Sequence, residues 1–158
     1  MRLQVGKGID EYLRQLGNLE FDAPQAVGEA VYEGAKVVAD QVKKNIEALP
    51  VDDGQYKDRV TGLRSIQKEG LKRGFGIAKM KNENGYIHVK LGFDGYNKLR
   101  SKKYPKGQPN VMIARTFEGG NSFTQKIPFV APAVRQTRAE AERKMESVID
   151  KRVRNIMG

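Results

Sequence analysis

The stretch Ala23–Pro50, APQAVGEAVYEGAKVVADQVKKNIEALP, decides how the rest of the chain is read. Within it Val27, Val31, Ala35, Val38, Val42, Ile46 and Leu49 recur at intervals of three and four. Those intervals put the apolar side chains on one face of a long amphipathic helix. Asp22 offers a side-chain acceptor ahead of the first turn, and Pro24 sits where a missing N–H costs nothing. Pro50 and the turn-forming VDDG of Val51–Gly54 predict the end of the helix.

On the N-terminal side, Ile9, Leu13 and Leu16 predict a short helix over Ile9–Leu16, joined to the long one by the loop GNLEFD. On the C-terminal side, Thr61–Leu71 (TGLRSIQKEGL) reads as a second helix with Leu63, Ile66 and Leu71 inward, weakened by Gly62 and Gly70. Next, GFGIAKMK and GYIHVKLGFD flank NENG. In the second run Ile87, Val89, Leu91 and Phe93 alternate with His88, Lys90 and Gly92, the period of a half-buried strand with His88 on its polar side. Asn84-Gly85 can supply the positive backbone angles of a tight turn, which predicts a β-hairpin.

Gly95–Asn110 (GYNKLRSKKYPKGQPN) holds five basic residues, no acidic ones, two glycines and two prolines. It reads as a long exposed loop, and loops of that length are usually functional or mobile. NVMIARTFEGG fits either a strand or a short helix begun by Pro109. From Pro132, the residues Val134, Ala141, Met145, Val148, Ile149 and Ile156 trace a second long amphipathic helix to the C-terminus. The predicted architecture is α+β: a single domain over residues 1–158 with an extended basic loop at 95–110. In it, a small, mostly antiparallel sheet with a hairpin packs against two long amphipathic helices.

Composition narrows the function. The chain has 158 residues, 39% hydrophobic and 30% charged, which reads as a soluble globular protein. It has no cysteine, so disulfides, thiolate metal sites and a cysteine nucleophile are excluded. No run approaches the roughly 18 apolar residues of a membrane span, and MRLQVGKGIDEY lacks the apolar segment of a signal peptide. The net charge of +10 is unevenly distributed. Residues 1–60 carry 8 basic and 11 acidic side chains, whereas residues 61–110 carry 12 and 3. That asymmetry suits a polyanionic partner, or pairing between the acidic part of one copy and the basic part of another. A solvated, charge-solubilised surface is the plain alternative.

Catalytic chemistry is sparsely provided for. His88 is the lone histidine, and no metalloprotease, P-loop, nucleophile-elbow or dinucleotide pattern is present. Asp52, Asp53 and Asp58 could be drawn as a metal cluster or a nuclease site, but VDDG after a helix reads as a turn. RGFGIA lacks the lysine, serine and helix needed to cradle phosphate. The expectation is therefore a protein that is not an enzyme, with no catalytic residues, metal, cofactor or small-molecule substrate. Lys98, Arg100, Lys102, Lys103 and Lys106, interleaved with Tyr96 and Tyr104, form the best candidate for a DNA-facing or partner-facing surface.

A last feature is the pair of short motifs Phe117-Glu118-Gly119 and IPFVAPAV (Ile127–Val134) before the C-terminal helix. With the long early helix, the TGLRSI turn, the hairpin and the basic loop, they resemble the neck or tail-completion proteins of long-tailed bacteriophages. The resemblance covers roughly Ala23 to Ile156, with Gly120 standing where that family often has threonine. It implies a structural virion protein at the head–tail junction, assembled in the host bacterial cytoplasm. Its partners would be further copies of itself in a ring, six-fold where it meets a tail, and other neck, head-completion and tail proteins. DNA would pass through the lumen with non-specific contact, and no membrane is implied. Phe117, Glu118, Gly119, Pro128, Phe129, Val130 and Pro132 are the candidate subunit interface, with Phe129 either a rigid apolar peg for the next subunit or a side chain packed in its own core. The alternative function is a small cytoplasmic protein that binds nucleic acid, regardless of sequence, through the 95–110 loop.

Overall fold

The computed structural model describes residues 2–3, 23–55 and 58–157. The short helix expected over Ile9–Leu16 and the Asp22 cap lie outside them. The elements run β1 (Arg2–Leu3), α1 (Ala23–Glu47), α2 (Ser65–Gly74), β2 (Phe75–Ile77), β3 (Lys81–Glu83), β4 (Tyr86–Phe93), α3 (Asn110–Gly119) and α4 (Ala131–Met157). The chain is α+β, with a small antiparallel sheet, a hairpin and two long helices. The sheet order is β1-β4-β2, and β3 also pairs with β4.

Chain packing divides the protein into two compact units. The first comprises Met1–Ala39, Ile77–Leu91 and Thr137–Gly158, the second Asp40–Gly76 and Gly92–Gln136. α1, β4 and α4 each contribute residues to both.

In the first unit, α1 buries Ala26, Ala30, Val31, Ala35, Val38 and Ala39, and α4 buries Ala141, Met145, Ile149 and Val153. Val31, Ala35 and Val38 of α1 and Ala141, Met145 and Ile149 of α4 belong to the apolar faces read from the sequence; Ala26, Ala30, Ala39 and Val153 extend them, while Val27 and Val148 are only half-buried. Arg152 donates to Glu29 at 2.9 Å, a partly exposed pair that adds little to stability. β1 runs antiparallel to β4, with Leu3 opposite Val89, and β3 pairs Glu83 with Tyr86 across the turn. Asn84 (φ 54°) and Gly85 (φ 88°) form that turn, as the hairpin signal predicts.

His88 departs from the expected alternation. Ile87, His88 and Val89 are buried in succession, so both faces of β4 are covered there and the imidazole is only 1% exposed. Its Nε2 lies 4.0 Å from a Glu83 carboxylate oxygen, its ring lies against Tyr86, and its Nδ1 has no hydrogen-bond partner among the described residues. Period alone could not reveal the second layer, because one polar residue among apolar neighbours looks the same on an open face.

In the second unit, the end of α1 supplies Val42 and Ile46, and the turn after it Leu49, to a core completed by Leu63, Leu71, Phe75, Ile113, Ala114, Phe117, Phe129 and Ala133. α2 begins four residues later than predicted. Leu63 is extended and bridges Val51: its N–H donates to the Pro50 carbonyl at 2.9 Å, and Asp52 N–H donates back to its carbonyl at 2.8 Å. The helix then starts at Ser65, whose N–H (2.8 Å) and hydroxyl both donate to the Asp53 carboxylate. Gln67 Oε1 accepts the Arg64 N–H at 2.9 Å. Lys68 Nζ donates to the carbonyls of Glu47 (2.6 Å) and Leu49 (3.0 Å), placing a cation at the C-terminal end of α1.

Candidate functional site

The two motifs of the candidate interface are joined by a single side chain. Glu118, near the end of α3, reaches the segment that starts α4. One carboxylate oxygen accepts the N–H groups of Phe129 (2.8 Å) and Val130 (2.9 Å), and the other accepts that of Ala131 (2.8 Å). A helix start leaves its first N–H groups without intrahelical partners. Here a negative charge satisfies them, in the orientation the helix dipole favours. Pro132 follows in the first turn, where it has no N–H to leave unpaired. Glu118 is therefore the cap of α4, supplied from another helix.

The backbone around this cap is equally constrained. Ile127 N–H donates to the Phe117 carbonyl at 2.8 Å, and Asn45 Nδ2 donates to the Phe129 carbonyl at 3.0 Å. Gly120 ends α3 at φ 68°, with its N–H on the Thr116 carbonyl at 2.8 Å. A Cβ at that position would meet the Lys126 backbone at 2.9 Å, which explains the glycine there.

Phe129 is 1% exposed and corrects the expectation of an apolar peg. Its ring meets Phe93 edge-on at 6.0 Å, and Phe93 in turn lies 5.1 Å from Phe75. Such aromatic contacts belong to a core. Phe117 is buried as well, so neither ring is offered to a neighbour. Of the remaining candidates Val130 and Pro132 are half-buried and Gly119 and Pro128 are exposed. The peg expectation failed because rigidity and apolarity describe a core anchor as well as a docking residue.

Sequence reasoning passed over Phe123, which is 72% exposed six residues earlier. Its loop is held in shape. Asn121 Oδ1 accepts the N–H groups of Phe123 and Thr124, both at 2.8 Å. Val60 N–H donates to the Phe123 carbonyl at 2.6 Å, and Gln125 N–H donates to the Val60 carbonyl at 2.8 Å. The signal was present in NSFT: a large aromatic among turn-forming residues, with polar neighbours at strand spacing on either side (Asn121 and Gln125).

Lys98, Arg100, Lys102, Lys103 and Lys106 are all exposed. Their loop is far better ordered than its composition suggests. Asn97, 2% exposed, is its hub. Asn97 Oδ1 accepts the N–H groups of Leu99 and Gln108 at 3.0 Å, and its Nδ2 donates to Gln108 Oε1 at 3.0 Å. Its own N–H donates to the Gln108 carbonyl at 2.9 Å, and Tyr96 bridges Pro109 alongside. Gly107, at φ 101°, lies so close to the Asn97 carbonyl that no side chain fits there. Ser101 and Tyr104 turn the tip, and the Tyr104 hydroxyl reaches Met112 Sδ at 3.2 Å.

The acidic residues after α1 have local roles. Asp52 accepts the Gly54 N–H at 2.9 Å, and the Ser65 hydroxyl and N–H on Asp53 hold its carboxyl below the ordinary value. No group of three metal-ligating side chains occurs among the described residues, and no helix there is long and apolar enough to cross a membrane. No protein-family model, curated protein or solved structure matches the chain.

Proposed function

We propose that this protein is a structural subunit of the neck or tail-completion assembly of a tailed bacteriophage, forming a homo-oligomeric ring at the head–tail junction. The reading rests on the combination of motifs described above. The observation that carries it is the Glu118 cap, which binds Phe117-Glu118-Gly119 and IPFVAPAV into one structural unit and gives their co-occurrence a physical reason. Under this reading the apolar contact between subunits is made by Phe123, the exposed aromatic of the loop between the two motifs, while Phe117 and Phe129 hold that loop's base in place.

Light scattering and negative-stain images of the purified protein, alone and with tail tubes or connectors, test the proposal. Ring formation or docking supports it; a strict monomer that joins neither particle overturns it. Virions assembled without the protein are expected to appear as filled heads separated from tails. A second reading, a sequence-independent nucleic-acid-binding protein outside any virion, is favoured by the exposed cations of the 95–110 loop. It predicts a monomer whose partner is nucleic acid alone.

A further inference from the structure

We propose that the Lys98–Lys106 loop is a preorganised platform for the phosphate backbone of nucleic acid, binding without reading sequence. Five cations stand on nine consecutive residues, and no acidic residue occurs anywhere in Gly95–Asn110. All five are exposed, and none forms an ion pair with a carboxylate among the described residues. Unpaired lysines on a surface are ordinary. Five cations held on a loop whose feet are locked by a buried asparagine are not, because the loop's backbone entropy is then already spent before a ligand arrives.

The chemistry of the loop selects the ligand class. Four of the five cations are lysine, a point charge that suits single phosphate oxygens rather than the two-pronged grip of arginine on one carboxylate. The five cations are spread along nine exposed residues, which suits an extended ligand rather than a small one. Leu99 is half-buried, which leaves the tip no aliphatic side chain to insert into lipid. Exposed pairs with acidic side chains contribute little individually, whereas a regular polyphosphate releases condensed counterions at each contact. Tyr96, 56% exposed at the foot of the loop, offers a ring face to an unpaired base. This inference rests on the loop alone and holds whether or not the protein forms a ring.

Fluorescence anisotropy with labelled random-sequence oligonucleotides, duplex and single-stranded, provides the test between 50 and 200 mM salt. The full chain is expected to bind with log affinity falling linearly in log salt, with a slope no steeper than about −4.5 for five contacts to duplex. Reversing Lys102, Lys103 and Lys106 to glutamate is expected to weaken binding at least tenfold at the lowest salt and to make the slope shallower by about 2.7. Reversing the exposed Arg135, Arg143 and Lys151 of α4 changes net charge equally and should weaken binding far less. Equal loss in both triple variants would mean diffuse attraction and overturn the proposal. So would absence of binding at 50 mM salt, or tighter binding to an acidic polypeptide than to either oligonucleotide.

Asn97→Ala, which unlocks the loop but keeps its charges, separates a platform from a mobile tether. A severalfold weaker affinity with an unchanged salt slope, in a variant whose circular dichroism matches the parent, supports preorganisation; unchanged affinity refutes it. Tighter binding of single strand than duplex, lost on Tyr96→Ala, would assign the tyrosine to base stacking. Equal binding confines recognition to phosphate.

Discussion

Phe129 and Phe123 lie six residues apart and face opposite fates, and mutation should separate them. Phe129→Ala removes a buried ring that touches Phe93, so it is expected to lower unfolding free energy by about 3–5 kcal/mol in urea titrations. Phe123→Ser removes a ring already in water and should change stability by no more than about 0.5 kcal/mol. Glu118→Ala leaves three N–H groups at the start of α4 without their charged acceptor. A loss of about 2–4 kcal/mol is expected, because charge-assisted bonds are stronger than neutral ones and the part-buried N–H groups of Phe129 and Val130 lose their acceptor. Glu118→Gln keeps an acceptor and should fall between the two, which distinguishes the cap from simple bulk.

At the scale of elements, α1, α2 and α4 are each secured at an end by a side chain from elsewhere. Lys68 caps the C-terminal end of α1, Asp53 the first turn of α2 and Glu118 the first turn of α4. The Asp53 cap has a pH signature. Hydrogen bonds from Ser65 lower its folded-state pKa below the ordinary 3.8. Its contribution is therefore full above that unfolded value and is lost as pH falls through the depressed folded value. Thermal melts from pH 7 to pH 2 should show parent and Asp53→Asn separated by a constant interval above about pH 5 and converging as the pH falls below the ordinary carboxylate value. A gap that widens on acidification would contradict the assignment. These caps were hard to see in the sequence because Asp53 is twelve residues from Ser65 and Glu118 thirteen from Ala131. Propensity rules search for caps within a few positions, and that is also why the start of α2 was placed too early.

For the whole molecule, the decisive measurement is mass in solution. If the ring reading is right, Phe123→Ser lowers the oligomeric fraction in light scattering while leaving the melting temperature in place. Phe129→Ala, by contrast, acts mainly through unfolding. Reversal of Lys102, Lys103 and Lys106 should leave assembly intact and change nucleic-acid affinity alone.

The α+β class, the two long helices, the Asn84-Gly85 hairpin and the exposure of the five loop cations were all legible in the amino-acid order. All of these follow from local periods, turn chemistry and charge, which act over a few residues. Only the tertiary structure decided that His88 is buried, that Phe129 belongs to the core while Phe123 faces water, and that the basic loop is locked. Burial depends on what covers a residue, and the covering chain lies dozens of positions away: Asn45 meets Phe129 across 84 residues. The same holds for Asn97, whose polar side chain reads as a loop residue until its three hydrogen bonds to Leu99 and Gln108 are seen. A polar group is inexpensive to bury once its partners are in place, and only the folded chain supplies them.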